Sequence, residues 1–264
     1  MGGLVMSTPA SRLQIELHEY QSEMQRFRDF EKMTDGTESL SPWNIAWFLM
    51  SDSEWVAENS YLAGDQATCT KWSRIAAESV VYYLFGDWKK KQKHDDGTID
   101  PERCFRVQPS ALNLTWARYL ADGLCWGAAG GHWELIDRLL AFPEPTIQAD
   151  DDGEVARDYY LGLARWWKDP QDIAWIKEVK ELRGAGSKAY HLLCDAVAAI
   201  AIGEKRSLEK VLDQYVKLFI KRRTHDQQFP IAATFLWYVA RRKGIRLELP
   251  EESAKYIFVP LEEL

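Results

Sequence analysis

The order His132-Trp133-Glu134 is the one in which zinc deaminases place a metal ligand and a general acid–base glutamate. That chemistry also needs two cysteine ligands in a Pro-Cys-x-x-Cys segment, and none follows. His132 therefore reads as the residue at a helix start, with Glu134 favoured by the positive end of the helix dipole. Asp95-Asp96-Gly97-Thr98-Ile99-Asp100 resembles the middle of a calcium-binding loop, with Gly97 at the sharp turn. The same template asks for acids at Gln92 and His94 and a bidentate Glu at Arg103, and all of these fail. A second acidic turn, Asp150-Asp151-Asp152-Gly153, fails in the same way at Gln148 and Tyr159. In Gly184-Ala185-Gly186-Ser187-Lys188 the Lys follows Ser, whereas a phosphate-cradling loop has Lys first and a strand before it. A helix-ending glycine followed by Ser187 as N-cap is the simpler reading.

Nucleophilic chemistry finds no better footing. There is no Gly-x-Ser-x-Gly elbow, and His18, His94, His132, His191 and His225 share no metal-binding spacing. Glu16 and Glu19 read as solvated charges on a surface helix. The cluster Lys217, Lys221, Arg222 and Arg223 meets the negative end of a helix dipole and lacks the interleaved exposed aromatics of a nucleic-acid face. No catalytic residue, metal set or cofactor motif emerges, no residues of known chemistry converge along the chain, and the expectation is a protein that is not an enzyme.

The elements behind these residues are helical throughout. Trp116, Tyr119, Leu120, Gly123, Leu124 and Gly127 fall at helical spacing, and Gly130-Gly131-His132-Trp133 opens a second apolar helix, which predicts a tightly packed hairpin. Ser11 is expected to cap a first helix running to about Gly36, Ser41-Pro42 to start a second, and Asp65 to cap a third that closes at Gly86. The segment from Lys89 to Arg106 breaks the pattern with a basic run followed by acids, Gly and Pro, and is expected to be an exposed loop. Helices are expected again over 110–128, 133–141, 155–167, 173–183, 189–202, 208–222 and 231–243, with hairpins recurring about every 35 to 40 residues in the second half. Residues 245–264, with Pro250 and Pro260, are expected to lie across the last helices as an extended tail. The fold class is thus all-α: about ten helices in stacked antiparallel hairpins, forming one domain over 1–264, with N-terminal helices over 1–88, a loop over 89–109, and hairpins and tail over 110–264.

Composition sets outer bounds. The 264 residues are 46% hydrophobic and 28% charged, which excludes wholesale disorder, and twelve Trp with eleven Tyr supply large burial and interface potential. A net charge of −7 favours basic partners over nucleic acid or anionic membrane. Cys69, Cys104, Cys125 and Cys194 have no paired spacing, as expected of free thiols in a reducing cytoplasm. Met1 to Ala10 has no secretory pattern, Met6 stands where a myristoylation motif needs Ser or Thr, and the apolar runs are too short to span a bilayer.

Trp72, Ala76, Leu84-Phe85, Trp116-Ala117, Leu120-Ala121, Ile136-Asp137, Leu139 and Pro143 together resemble the immunity protein 49 family of bacterial polymorphic toxin systems. Tyr159-Tyr160, Leu163-Ala164 and Trp166 resemble its short aromatic helix, Leu208 to Arg223 its penultimate long helix, and Ala232-Ala233, Ala240-Arg241, Lys243-Gly244, Leu249, Tyr256 and Pro260-Leu261 its closing pattern. The resemblance covers roughly residues 70 to 264 and departs from the family in the wider spacing of Tyr256 and Pro260. It implies an immunity protein that neutralises a cognate toxin domain by direct binding in the cytoplasm. Acidic groups could steer a basic, nuclease-like toxin, and the loop acids Asp95, Asp96, Asp100, Asp150, Asp151 and Asp152 are the candidate partner-binding residues. A helical-repeat scaffold that binds a peptide or regulatory partner in a groove is the alternative, and a hydrolase or metal enzyme with its site between helices ranks third.

Overall fold

The structure, a computed structural model, describes residues 9–30, 42–85, 115–141, 151–184, 186–223 and 228–259. Within them the chain forms eleven α-helices: α1 (Pro9–Phe30), α2 (Pro42–Leu62), α3 (Gln66–Phe85), α4 (Thr115–Ala129), α5 (Trp133–Leu139), α6 (Asp151–Lys168), α7 (Trp175–Glu181), α8 (Ser187–Ile202), α9 (Lys205–Arg222), α10 (Ile231–Arg242) and the single turn α11 (Glu251–Ala254). The all-α expectation holds. Helices that follow one another in the chain pack as neighbours, α1 on α2, α2 on α3, α3 on α4 and α8 on α9, and their buried residues join in one hydrophobic core. No helix among the described residues is long and apolar enough to cross a membrane.

Helix ends follow local chemistry more closely than the apolar pattern suggests. Asp65 caps α3 as expected, its carboxylate accepting from the Thr68 amide at 3.0 Å. Ser11 does not cap α1, which already begins at Pro9, because a proline fits the first helical turn, where its missing N–H costs nothing. Ser187 is the first residue of α8 and not its cap; Gly186 takes that position in the left-handed region, φ +84°. Asp151 and Asp152, expected in a turn, instead belong to the first turn of α6.

Small residues set how closely the helices approach. Gly123 on α4 leaves room for Val80 of α3 and Leu139 of α5, and a Cβ at Gly162 on α6 would overlap the Trp175 ring. Gly130 lies against Arg74, whose guanidinium donates to the Gly130 carbonyl at 2.6 Å and ties α3 to the α4–α5 turn. Around α10, Arg242 lies 4.5 Å over the Trp133 ring, and the Trp167 indole donates to Asp137 at 2.8 Å, so α5, α6 and α10 share one polar and aromatic seam.

The tail is not wholly extended, since Pro250 opens the one-turn α11. It packs along α9 and α10: the Ser253 hydroxyl donates to Asp213 at 2.6 Å, and the Phe258 amide donates to the Thr234 hydroxyl at 3.4 Å. Phe258 then reaches the N-terminal half, its ring 4.6 Å from Tyr61 of α2, 5.0 Å from Trp126 of α4 and 5.1 Å from Phe229. This fully buried ring closes the molecule behind α4. Phe258→Ala is expected to cost about 3 to 5 kcal/mol of unfolding free energy in urea titrations; a loss below about 1 kcal/mol would show that the tail does not hold the two halves together.

Candidate acid-lined cavity

Ser51, Glu54, Trp55 and Glu58 on α2 are spaced three or four residues apart, so they share one helix face. Arg118, Ala121, Asp122 and Trp126 do the same on α4. These faces meet across a half-open cavity of about 440 Å³, and Tyr160 of α6, Tyr190 of α8, Tyr215 and Phe219 of α9, and Phe229 complete its wall. Carboxylates from two helices thus converge in an aromatic enclosure. Spacing along the chain does not announce this cluster: folding brings Glu54 and Glu58 opposite Asp122, residues 64 or more positions away in the chain.

The walls hold these acids away from water. Asp122 is 9% exposed, and burial raises its pKa to about 7 although the Arg118 guanidinium pulls it down. Burial, reinforced by the charge of Asp122, pushes Glu58 up to about 8, and no cation offsets it. Glu54 is raised well above its ordinary 4.5 by burial and by repulsion from Asp122 and Glu58, against the opposing pull of Arg118 and the Trp126 indole. That indole N–H faces Glu54 without completing a hydrogen bond: Trp126 Nε1 and Glu54 Oε1 are both buried and unpartnered. Burial also raises Tyr160 and Tyr190, the latter to about 12, so the phenols stay neutral and the carboxyls are the groups that titrate. At neutral pH the cavity shares protons among its acids because burial outweighs the pull of Arg118.

The other candidates fall elsewhere. Asp95, Asp96, Asp100 and Asp150 lie outside the described residues, as do Cys104 and the basic run at Lys89. The backbone of Asp151 and Asp152 forms the start of α6. Glu16 and Glu19 are joined by Asp52 of α2, with one oxygen of each carboxylate within 4.8 Å of the others. His132 stands at the edge of α5 with Nδ1 3.8 Å from Glu78, its pKa lowered by burial and by Arg74. Cys69, Cys125 and Cys194 are buried free thiols, and burial raises all of their pKa values. Lys217 pairs with Asp213 at 2.8 Å, and Arg223 lies 5.1 Å over the Tyr256 ring, so the basic end of α9 is occupied with its own neighbours.

No family model, curated protein or solved structure matches the chain.

Sequence reasoning passed over the cavity acids because Asp122 sits singly in an apolar stretch, while Glu54 and Glu58 lie among the other polar residues of 51–60 and look like an ordinary solvated face. The available signal was Asp122 between Leu120, Gly123 and Leu124, a charge on a face that must be buried, and the Glu54/Glu58 pair at i, i+4. A carboxyl whose folded pKa is raised stabilises the fold at low pH and loses that contribution as pH rises. For Glu58 the window runs from its ordinary 4.5 to about 8, and for Asp122 from 3.8 to about 7. Asp65, Asp172 and Asp213 are shifted down and act only below about pH 4, so they do not mask this slope. Urea midpoints are expected to fall steadily from pH 5 to pH 8, and Glu58→Gln is expected to flatten that fall and raise the midpoint at pH 8. A midpoint that rises over this range would rule out the buried-acid arrangement.

Proposed function

We propose that the protein is a non-enzymatic immunity protein that neutralises a cognate toxin domain by direct binding in the cytoplasm, with the acid-lined cavity as the point where a basic side chain of the toxin is anchored. The observation that carries this reading is one buried carboxyl, Asp122, and two half-buried ones, Glu54 and Glu58, with too little positive charge among them. Arg118 is exposed and is the one cation among the described residues that line the cavity, so Glu54, Glu58 and Asp122 keep unused capacity to accept charged hydrogen bonds. The surrounding aromatic residues are of the kinds enriched where proteins grip one another. The resemblance of residues 70 to 264 to the immunity protein 49 family and the net charge of −7 support the same direction, since an acidic protein steers a basic partner.

The interaction that does the work is then desolvated and paired. Buried carboxylates are costly alone and strongly attractive once a cation displaces their protons, so most of the binding energy is concentrated on a few groups. The steering described for the acidic loops becomes a secondary contribution at long range.

One observation favours a second reading. A carboxyl kept protonated near neutral pH, as Glu58 is, also suits general acid catalysis, so a hydrolase with its site between the helices is the competing class. Stoichiometry separates the two: a binder protects one toxin molecule per molecule, whereas an enzyme protects in less than equimolar amounts.

Co-expression with a candidate toxin taken from a neighbouring gene tests the proposal. Growth is expected to be restored by equimolar protein, and the combined carboxamide variant Glu54→Gln, Glu58→Gln, Asp122→Asn is expected to weaken the complex by about 2 kcal/mol or more, roughly 30-fold in affinity. A neighbour that is harmless when expressed alone, or lethality that this protein leaves unchanged, would overturn it.

A further inference from the structure

We propose that the cavity between α2, α4, α8 and α9 is a receptor for a guanidinium group carried on a short aliphatic chain. The inference rests on reading the cavity as an anchor for a partner's basic side chain, and it names the chemical group that enters.

Three features of the enclosure select this group. First, the carboxylates do not form a metal cage: among the described residues only Glu16, Glu19 and Asp52 bring their ligand atoms within 4.8 Å of one another, so Glu54, Glu58 and Asp122 are spread over the wall. A point ion would reach them poorly, whereas the five N–H donors of a guanidinium fan outward in a plane. Second, the wall between the acids is aromatic, with Trp55, Trp126 and the ring of Tyr190 among its surfaces. A flat, weakly hydrated cation stacks on such faces more readily than a compact ammonium does. Third, polar capacity is left open at the site. Trp126 is 1% exposed with its Nε1 unpartnered, and Glu54 Oε1 is buried and unpartnered. Once a cation ionises Glu54, the indole N–H beside it can complete its bond to that carboxylate, so filling the cavity satisfies a donor that the empty one leaves open.

Entry of the cation is coupled to proton loss. Among the described residues the titratable groups facing the acids are Arg118 and Cys125 on α4, Tyr160 on α6, Tyr190 on α8, Tyr215 on α9 and Cys69 on α3, and of these only Arg118 carries charge near neutral pH. The protons released therefore come from Glu54, Glu58 and Asp122, each held partly protonated by burial. The volume of about 440 Å³ leaves room for the alkyl chain behind the planar head.

The test is calorimetric titration of the whole protein with butylguanidine and, separately, with butylamine, in two buffers of different ionisation enthalpy between pH 6 and pH 8. Butylguanidine is expected to bind with a dissociation constant of about 1 mM or tighter, the range a ligand of its size reaches, and about tenfold more tightly than butylamine. Proton release is expected to accompany binding and to shrink towards pH 8. The indole N–H resonance of Trp126 should shift as the ligand enters. The combined carboxamide variant should lose about tenfold in affinity with unchanged far-ultraviolet dichroism; should that variant not fold, Glu58→Gln alone should reduce the protons released. A short peptide, Gly-Arg-Gly with blocked ends, identifies the source. Binding of both probes assigns the group to a partner's arginine, and binding of butylguanidine with exclusion of the peptide assigns it to a free small molecule and counts against the toxin reading. No saturable binding of butylguanidine, or equal binding of butylamine, would overturn the inference while leaving the co-expression result to stand by itself.

Discussion

The enclosure of α4 is the constraint on which the rest of the structure depends. This helix packs against α3, α5, α6 and α10, and every residue from Asp122 to Gly130 is buried. Such crowding is possible because Gly123, Gly127 and Gly130 allow Val80, Ile136 and Arg74 to approach the backbone. It also fixes the electrostatics. A carboxyl at position 122 cannot turn to bulk water, so it either holds a proton or waits for a cation. Glu54 and Glu58, brought opposite by α2, then share its field: burial raises all three pKa values, and repulsion from Asp122 adds to the rise at Glu54 and Glu58. The cost of this arrangement is offset by the apolar core around it, above all by Trp126, Tyr159, Trp166 and Phe258, which are buried almost completely.

Much of the fold was legible in the chain because helical periodicity is a local property. The hairpin around Gly130-Gly131, the Asp65 cap and the apolar faces of α8 to α10 need only neighbours three or four residues away to be recognised. What escaped was decided by tertiary contact or by competition at helix ends. Ser11 and Ser187 looked like caps, yet Pro9 and Gly186 took over those ends, and Asp151-Asp152 entered α6 where a turn was expected. The tail's path into the pocket behind α4 depends on Phe258 meeting Tyr61 and Trp126, a contact between residues more than a hundred positions apart that no spacing announces.

The site was less legible for the same reason. Exposed-looking acids drew attention to Asp95, Asp96, Asp100 and Asp150 to Asp152, because loops commonly carry binding residues. Of the acids that fold into a cavity, Asp122 is a lone polar residue on an apolar helix and Glu54 and Glu58 stand in a polar part of α2, so their meaning lies in what each one faces. A lone Asp on a buried helix face is a physical anomaly and therefore informative. Glu54 and Glu58, one turn apart, gain significance only when α4 places Asp122 across from them.

The central claim is that folding forces these carboxyls to keep their protons near neutral pH. Its most direct test is a carbon-13 NMR titration of the side-chain carboxyls, with Glu58→Gln and Asp122→Asn supplying the assignments. The account requires Asp122 to titrate near 7 and Glu58 near 8 in the free protein. If every carboxyl in the folded protein titrates below about 5, as ordinary solvated Asp and Glu do, the cavity is wet, and the account built on it is wrong.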